Sequence, residues 1–265
     1  MMSKSVPNKL LNISSLQNKF FALRHGQSLA NVAGIISSDP TISTIEHGLS
    51  DVGKDQVATN AQAFVDNFHA KQSQDRYEGV AIFSSDFTRA RETASIFADT
   101  IFGANIPLYH SNEDKQQDED KNDSRVKHEL RLRERFFGDF NGQSDKHYQD
   151  VWDVDWKDPN HTEYNVESVN SVVERTSRLI LDLEHELNEN NDNDNASKNG
   201  IVSANKKQKQ KPYQIILVAH GDVLQIMQTA FLKKDGSVHR SLEHLETASV
   251  RELKLASVGS LDEIR

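Results

Sequence analysis

The 265-residue chain contains no cysteine. That absence excludes a disulfide framework, a thiol nucleophile, an iron–sulfur cluster and a cysteine zinc site, and it leaves the redox compartment open. Long apolar runs are missing as well. Nothing approaches the roughly 20 residues that a membrane helix needs, and the opening stretch MMSKSVPNKLLNISSLQNK lacks the apolar segment of roughly 7–15 residues found in secretion signals. The expectation is a soluble, cytoplasmic protein with no membrane partner. A basic excess is lacking too: Lys+Arg number 31 against Asp+Glu 40, a formal net charge of -9. A sequence-independent nucleic-acid binder normally presents a basic surface, so no nucleic-acid partner is expected. A small anionic substrate stays open, because a few focused arginines outweigh the global charge locally. Hydrophobic residues make up only 36% and the mean hydropathy is -0.67, below the usual globular share, as when polar segments dilute an ordinary domain.

Two such segments are present. Residues 111–125, SNEDKQQDEDKNDSR, hold no aromatic and no long aliphatic side chain beyond the charged ones. Residues 188–211 form an Asn- and Lys-rich tract with only Ile201 and Val202 as large apolar residues. Neither can repay ordering entropy by burial, so both are expected to be solvated insertions. Residues 1–18 are polar with scattered Leu and Ile and are expected to form a flexible N-terminal arm. The remainder, 19–265, is expected to be a single domain.

Within it, Lys19-Phe20-Phe21-Ala22-Leu23-Arg24 is a short apolar segment ending in His25-Gly26, a buried strand feeding a glycine turn. From Ser50, Val52, Val57, Ala61, Phe64, Val65 and Phe68 recur mostly at helical intervals. Gly79 to Ser85 reads as a second strand followed by an alanine-rich helix. Val166, Val169, Val172, Val173, Leu179, Ile180, Leu183 and Leu187 mark a long amphipathic helix. Tyr213 to Ala219 is the strongest strand, and His220-Gly221 again opens a helix. Alternating strands and helices predict an α/β fold, a mainly parallel central sheet flanked by helices on both faces. Ligands of such sheets bind beyond the carboxyl ends of the strands.

Arg24-His25-Gly26 and His220-Gly221-Asp222 sit at two such ends. An isolated Arg-His-Gly is more often an ordinary strand terminus. A second histidine at an equivalent end changes the reading, because two imidazoles and an arginine beside helix N–H groups make a phosphate pocket. A neutral imidazole is nucleophilic near neutral pH and can form a covalent intermediate. Arginine binds phosphate oxygens in pairs and stays charged, and Arg24 and Arg89 are the candidates. Arg91, two places on, reads as a solvated residue. An alkoxide leaving group needs a proton from a carboxyl group of raised pKa. Glu134 lies near a glycine turn, yet on spacing alone it reads more readily as a surface ion pair with Arg133 or Arg135.

Four ordered motifs carry a resemblance. Leu23-Arg24-His25-Gly26-Gln27-Ser28-Leu29-Ala30-Asn31, Ser84 to Ala94, Leu132-Arg133-Glu134-Arg135-Phe136-Phe137-Gly138, and Val218-Ala219-His220-Gly221 together resemble the histidine phosphatase superfamily, the phosphoglycerate mutase-like proteins, over roughly residues 19–232. The resemblance implies that His25 is the phosphorylated nucleophile, that Arg24, Arg89 and His220 complete the phosphate pocket, and that Glu134 gives and takes the proton. It also places Asn31 against the phosphoryl group. Glu167-Ser168 resembles a recurring family segment, although helix capping explains it as well. No cofactor and no metal are implied.

Members that act as mutases carry Glu after the first His-Gly and Trp before the Asn; here these are Gln27 and Ala30. Residues 34–40 also lack the aromatic of a mutase loop. A mutase must keep water from its phosphoenzyme and a phosphatase must admit it, so hydrolysis of a small phosphorylated metabolite is the expected activity. Leu132 to Gly138 resembles the fructose-2,6-bisphosphatase-like branch most, which makes a sugar phosphate the expected class. Mutase-type transfer, a non-catalytic phosphate-binding module, and a metallohydrolase using His25 and His220 are the alternatives.

Overall fold

The apolar runs at 19–24, 80–84 and 214–219 become neighbouring strands of one sheet. In the computed structural model, which describes residues 6–72, 77–110, 125–198 and 211–257, the strands are β1 (Lys19–Arg24), β2 (Val80–Ser84), β3 (Lys127–His128), β4 (Gln214–Ala219) and β5 (Val250–Leu253). The helices are α1 (Leu29–Ala33), α2 (Pro40–Ser43), α3 (Asp51–Gln72), α4 (Thr88–Gly103), α5 (Tyr148–Asp155), α6 (Val169–Lys198) and α7 (Gly221–Phe231). The sheet order is β3-β2-β4-β1-β5, parallel throughout except for the edge strand β5. This is the α/β architecture of a mainly parallel sheet covered on both faces.

β4 is buried at every position, as a central parallel strand must be. Its side chains divide by the period of two. Ile215, Leu217 and Ala219 join Phe20 and Ala22 in a core beneath α6 and α7, whereas Ile216 and Val218 join Leu23 in a core beneath α3 and α4. A third, smaller cluster of Ile36, Phe137, Val151 and Val166 lies under the connections that cover the carboxyl end of the sheet. Tight backbone contact seats the first connection. A Cβ on Gly26 would fall 2.5 Å from the Gly53 carbonyl oxygen, and one on Gly53 would fall 2.1 Å from that of Gln27. Only glycine at both places lets α3 press on the loop after β1.

Two expectations need correction. The arm over residues 1–18 is not loose where it is described. Asn8 Nδ2 donates to the Ala230 carbonyl at 3.0 Å, Lys9 N donates to Ser177 Oγ at 3.0 Å, and Asn18 Nδ2 donates to Glu184 Oε2 at 3.0 Å. Leu10 is fully buried in the α6/α7 core. One buried leucine, with these bonds, offsets the ordering entropy that the surrounding polarity leaves uncompensated. The tract at 188–211 is in part helical, because α6 runs on to Lys198; extending an existing helix costs little once it is nucleated. Residues 199–210 of that tract, and 111–124 of the first one, lie outside the described residues. Among the described residues no helix is long and apolar enough to cross a membrane.

Candidate active site

Strand register builds the centre of the site. β1 and β4 are adjacent and parallel with Arg24 opposite Ala219, so the next residue of each strand, His25 and His220, meets the other. The His25 N–H donates to the Ala219 carbonyl at 3.0 Å, and the two ring centroids are 5.2 Å apart. β2 flanks β4 on its other side, and the Ser85 N–H continues the ladder to the Val218 carbonyl at 2.9 Å. Ser85 Oγ thereby comes within 2.9 Å of His220 Nε2.

The tautomer of His25 follows from its partners. Nδ1 lies 2.7 Å from the Gly26 carbonyl oxygen, which only accepts, so Nδ1 carries the proton. Nε2 receives the Arg89 Nε–H at 3.2 Å. A guanidinium only donates, so Nε2 holds the lone pair. Burial lowers the His25 pKa well below the ordinary imidazole value, and the Arg89 and Arg24 charges lower it further. His25 is therefore a neutral imidazole with its free electron pair on Nε2. His220 is also fully buried, and burial followed by Arg89 and His25 keeps it neutral. Among the described residues its Nδ1 has no hydrogen-bond partner.

Among the described residues neither arginine is in an ion pair with a carboxylate. Arg89, at the start of α4, donates Nη2–H to the Ser37 carbonyl at 2.8 Å and lies over the Phe87 ring. Arg24 donates Nη1–H to the Leu245 carbonyl at 2.8 Å and to His244 Nε2 at 2.7 Å, while its buried Nε has no partner among the described residues. The Arg24 guanidinium lies against Gly221, the first residue of α7. The N–H groups of that first turn have no partner within the helix and add positive potential there.

Glu134 sits in the middle of a pinned connection. Leu132 on one side and Phe137 on the other are fully buried. The adjacent arginines are both taken elsewhere: Arg133 by Asp86 at 2.7 Å, and Arg135 by a bidentate pair with buried Asp155 at 2.6 and 2.7 Å. The surface ion pair suggested by spacing does not form. Glu134 is 9% exposed, and among the described residues its Oε1 accepts only the Arg135 backbone N–H, at 3.0 Å. Burial, then the negative charge of Asp222, pushes its pKa up to about 7, against the opposing pull of Arg89 and Arg24.

Arg24, His25, Asn31, Arg89 and Glu134 all line one cavity of about 300 Å³. His220 stands behind it, against the ring of His25. Asn31 faces the cavity, although its Oδ1 is occupied by the Ser28 N–H and hydroxyl at 3.0 Å each, which cap α1. Arg91 is turned away and donates to the Thr44 carbonyl at 3.0 Å. Ser168 caps α6 by accepting the Ser171 N–H at 3.2 Å, and Glu167 pairs with Arg175 at 2.8 Å, so helix capping accounts for that segment. Of the two positions that set mutases apart, Ala30 faces the cavity. Gln27 is held by Ser50 Oγ at 2.8 Å and by Gln56 at 3.1 Å.

Further lining residues come from places the sequence did not single out, Tyr148 and Trp152 on α5, Arg240 and His244, and Asp222, next to His220-Gly221, lines the cavity with them. The two aromatics are four residues apart on one helix face, a spacing that marks a shared surface. Burial, then Glu134, raises the Tyr148 phenol above its ordinary value, so it remains a donor. Burial alone would raise Asp222, but His239, Arg135 and Arg240 hold it well below the usual carboxylate range.

A family model described as "Histidine phosphatase superfamily (branch 1)" matches residues 20–109 and 117–193. It spans His25, Arg89 and Glu134 and ends before β4, so His220 joins them by geometry. It does not single out the fructose-2,6-bisphosphatase-like branch. Among solved structures, a mycobacterial glucosyl-3-phosphoglycerate phosphatase in complex with VO3 is 21% identical, with 88% of this chain and 89% of that one covered and a TM-score of 0.57. A mycobacterial protein titled hydrolase 1 is 20% identical over 88% and 87%, TM-score 0.56. A histidine-to-alanine variant of a phosphoserine phosphatase from Entamoeba histolytica, in complex with phosphoserine, is 17% identical over 88% of both chains, TM-score 0.55. At these identities the likeness is one of fold. No curated protein matches.

Proposed function

The chain belongs to the histidine phosphatase superfamily (branch 1), and from that premise we propose that it hydrolyses a small phosphorylated metabolite through a phosphohistidine on His25. One observation carries the reading: His25 is locked as the tautomer whose lone pair, on Nε2, lies in a cavity with two arginines free of carboxylate partners. In the first step Nε2 attacks phosphorus, the ester P–O bond breaks, and the Glu134 carboxyl proton passes to the leaving alkoxide. In the second the Glu134 carboxylate takes a proton from water, the resulting hydroxide attacks phosphorus, and the N–P bond breaks with its electrons returning to Nε2.

Charge spread over the equatorial oxygens has to be met by fixed donors. Arg24 Nε and His220 Nδ1, both buried without partners, are suited to that, as is Arg89 once a phosphoryl oxygen replaces Nε2 as its acceptor. Asn31 stands at the mouth as a further contact. Glu134, with a pKa near 7, is available in both forms at neutral pH, as a group that acts as acid and then base must be. Hydrolysis rather than mutase transfer is favoured by Ala30, whose small side chain leaves the cavity open, and is in keeping with the neighbours named as phosphatases. A small sugar phosphate suits the cavity volume.

Brief exposure to a phosphate-labelled substrate followed by quenching tests the mechanism. Label on His25 that survives alkali and is lost in acid is expected, and its absence from a hydrolysing enzyme would overturn the covalent route. Two arginines repel a cation, so activity is expected to survive exhaustive chelation; its loss, with recovery on adding a divalent metal, would favour the metallohydrolase.

A further inference from the structure

Phosphoryl chemistry leaves one guanidinium of the cavity unused. Arg240, in the turn after α7, lines the same cavity as Arg24. It has no carboxylate at ion-pair distance among the described residues, and the nearby Asp222 is already engaged by Trp152 Nε1 at 3.0 Å and by Arg135 at 3.3 Å.

The group is held in place. Its Cζ lies 3.6 Å from the centre of the Trp152 ring, and Trp152 is in turn stacked on Tyr148 with ring planes 7° apart. Stacking fixes the plane of a guanidinium while leaving its in-plane N–H groups to bind an oxyanion. Among the described residues only Nη1 is committed, to Gln225 Oε1. Gln225 is 1% exposed on α7 and anchored by its own donation to the Leu242 carbonyl at 2.8 Å.

The same Oε1 reaches towards Arg24. It lies 3.4 Å from His244 Nδ1, and His244 Nε2 accepts from Arg24 Nη1 at 2.7 Å. Since Arg24 only donates, the His244 proton is on Nδ1 and points at Gln225. Arg24, His244, Gln225 and Arg240 thus form one hydrogen-bonded strut that sets a fixed spacing between two cations. A rigid pair of guanidiniums facing one cavity fits a ligand with two anionic groups.

We propose that Arg240 is a second oxyanion subsite, and that the natural substrate is a phosphate monoester bearing another anionic group, a carboxylate or a second phosphate. The proposal rests on the phosphatase reading above. His244 and Gln225 are positioning residues in it.

Matched esters test it. kcat/KM is measured for glycerol 3-phosphate against 3-phosphoglycerate, and for fructose 6-phosphate against fructose 1,6-bisphosphate, so that the two pairs separate carboxylate from phosphate as the second group. In at least one pair the member with the second anionic group is expected to be preferred by about tenfold or more, the worth of one charge-assisted hydrogen bond. Arg240→Met is expected to collapse that ratio towards unity and Arg240→Lys to retain part of it. Equal efficiency within both pairs for the unaltered protein, or an unchanged ratio in a folded Arg240→Met protein, overturns the subsite while leaving the phosphatase reading standing. The measurement on the unaltered protein decides the matter even if the variants fail to fold. Lack of turnover on every ester, 4-nitrophenyl phosphate included, overturns both.

Discussion

The chain uses one device twice: a buried strand, a histidine, a glycine and then a helix. In the copy at β1, His25 faces the cavity, and both ring nitrogens meet groups that can only accept or only donate, the Gly26 carbonyl and the Arg89 guanidinium. Its protonation pattern has a single solution. In the copy at β4, His220 occupies the position just before α7, makes no side-chain cap bond, and packs against the Phe87 ring with centroids 5.1 Å apart. Its one partner, Ser85 Oγ, both donates and accepts, and its Nδ1 meets nothing. Burial keeps both rings neutral. Charge therefore does not distinguish them. What distinguishes them is which nitrogen is committed and to what kind of group: His25 presents an electron pair, and His220 retains an uncommitted nitrogen that suits an anion once it carries the proton. The shared His-Gly pair acquires different capacities from the partners of each ring.

The largest expected effect breaks the symmetry outright. His25→Ala is expected to lower kcat by at least about 10⁴-fold and abolish the phosphoenzyme, since no other group can take the nucleophile's place. Retained turnover with phosphate found on His220 would invert the comparison. Glu134→Gln comes next. It leaves both rings in place but removes the acid, at a cost of about 10³-fold on alkyl phosphates and far less on 4-nitrophenyl phosphate, whose leaving group needs no proton. With the base also gone, phosphohistidine should accumulate from the nitrophenyl ester, and peptide mapping then reads which ring carries it. Equal losses on the two esters would count against Glu134 as the acid.

The same carboxyl group predicts pH behaviour. The acid form of Glu134 is lost as pH rises through about 7, so kcat/KM for an alkyl ester should fall there, and the fall should vanish in the Gln variant. Stability moves with it. The folded pKa exceeds that of an unfolded glutamate, so a contribution fully present below about 4.3 is lost as pH climbs through the folded value. Above that range Glu134→Gln should be the more stable protein, by about 4 kcal/mol at most, and Tm against pH measures it.

That His25, His220, Arg24 and Arg89 come together at one end of the sheet is legible in the sequence, because strand ends follow from short apolar runs and register needs only two parallel neighbours. Glu134 is not legible from its spacing. Its adjacent arginines take partners 47 and 20 residues away, Asp86 and Asp155, and no local pattern announces such pairings. Leu10 illustrates the same limit: the scattered Leu and Ile of residues 1–18 carry no period, yet Leu10 is fully buried in the core beneath α6 and α7. Arg240 and His244 are hidden for a third reason. They lie in turns and coil after α7, where position is set by side-chain bonds to Gln225 and Arg24 rather than by hydrophobic periodicity.

His220→Ala is expected to cost about 10²-fold in kcat, the usual worth of one preorganised oxyanion donor, with phosphohistidine still forming on His25. The smallest effect asks what Ser85 contributes. Its Oγ accepts the Phe87 N–H at 3.3 Å, which leaves the hydroxyl proton available for His220 Nε2. Donating it there would hold the His220 proton on Nδ1, the nitrogen without a partner. Ser85→Ala removes that bias without touching the cavity, and kcat is expected to fall about tenfold, within the worth of one hydrogen bond. Nitrogen chemical shifts of His220 supply the readout that a packing role would not move: Nδ1–H in the unaltered protein, and a mixture of tautomers in the variant. Unchanged shifts would mean that His220 owes its tautomer to something other than Ser85.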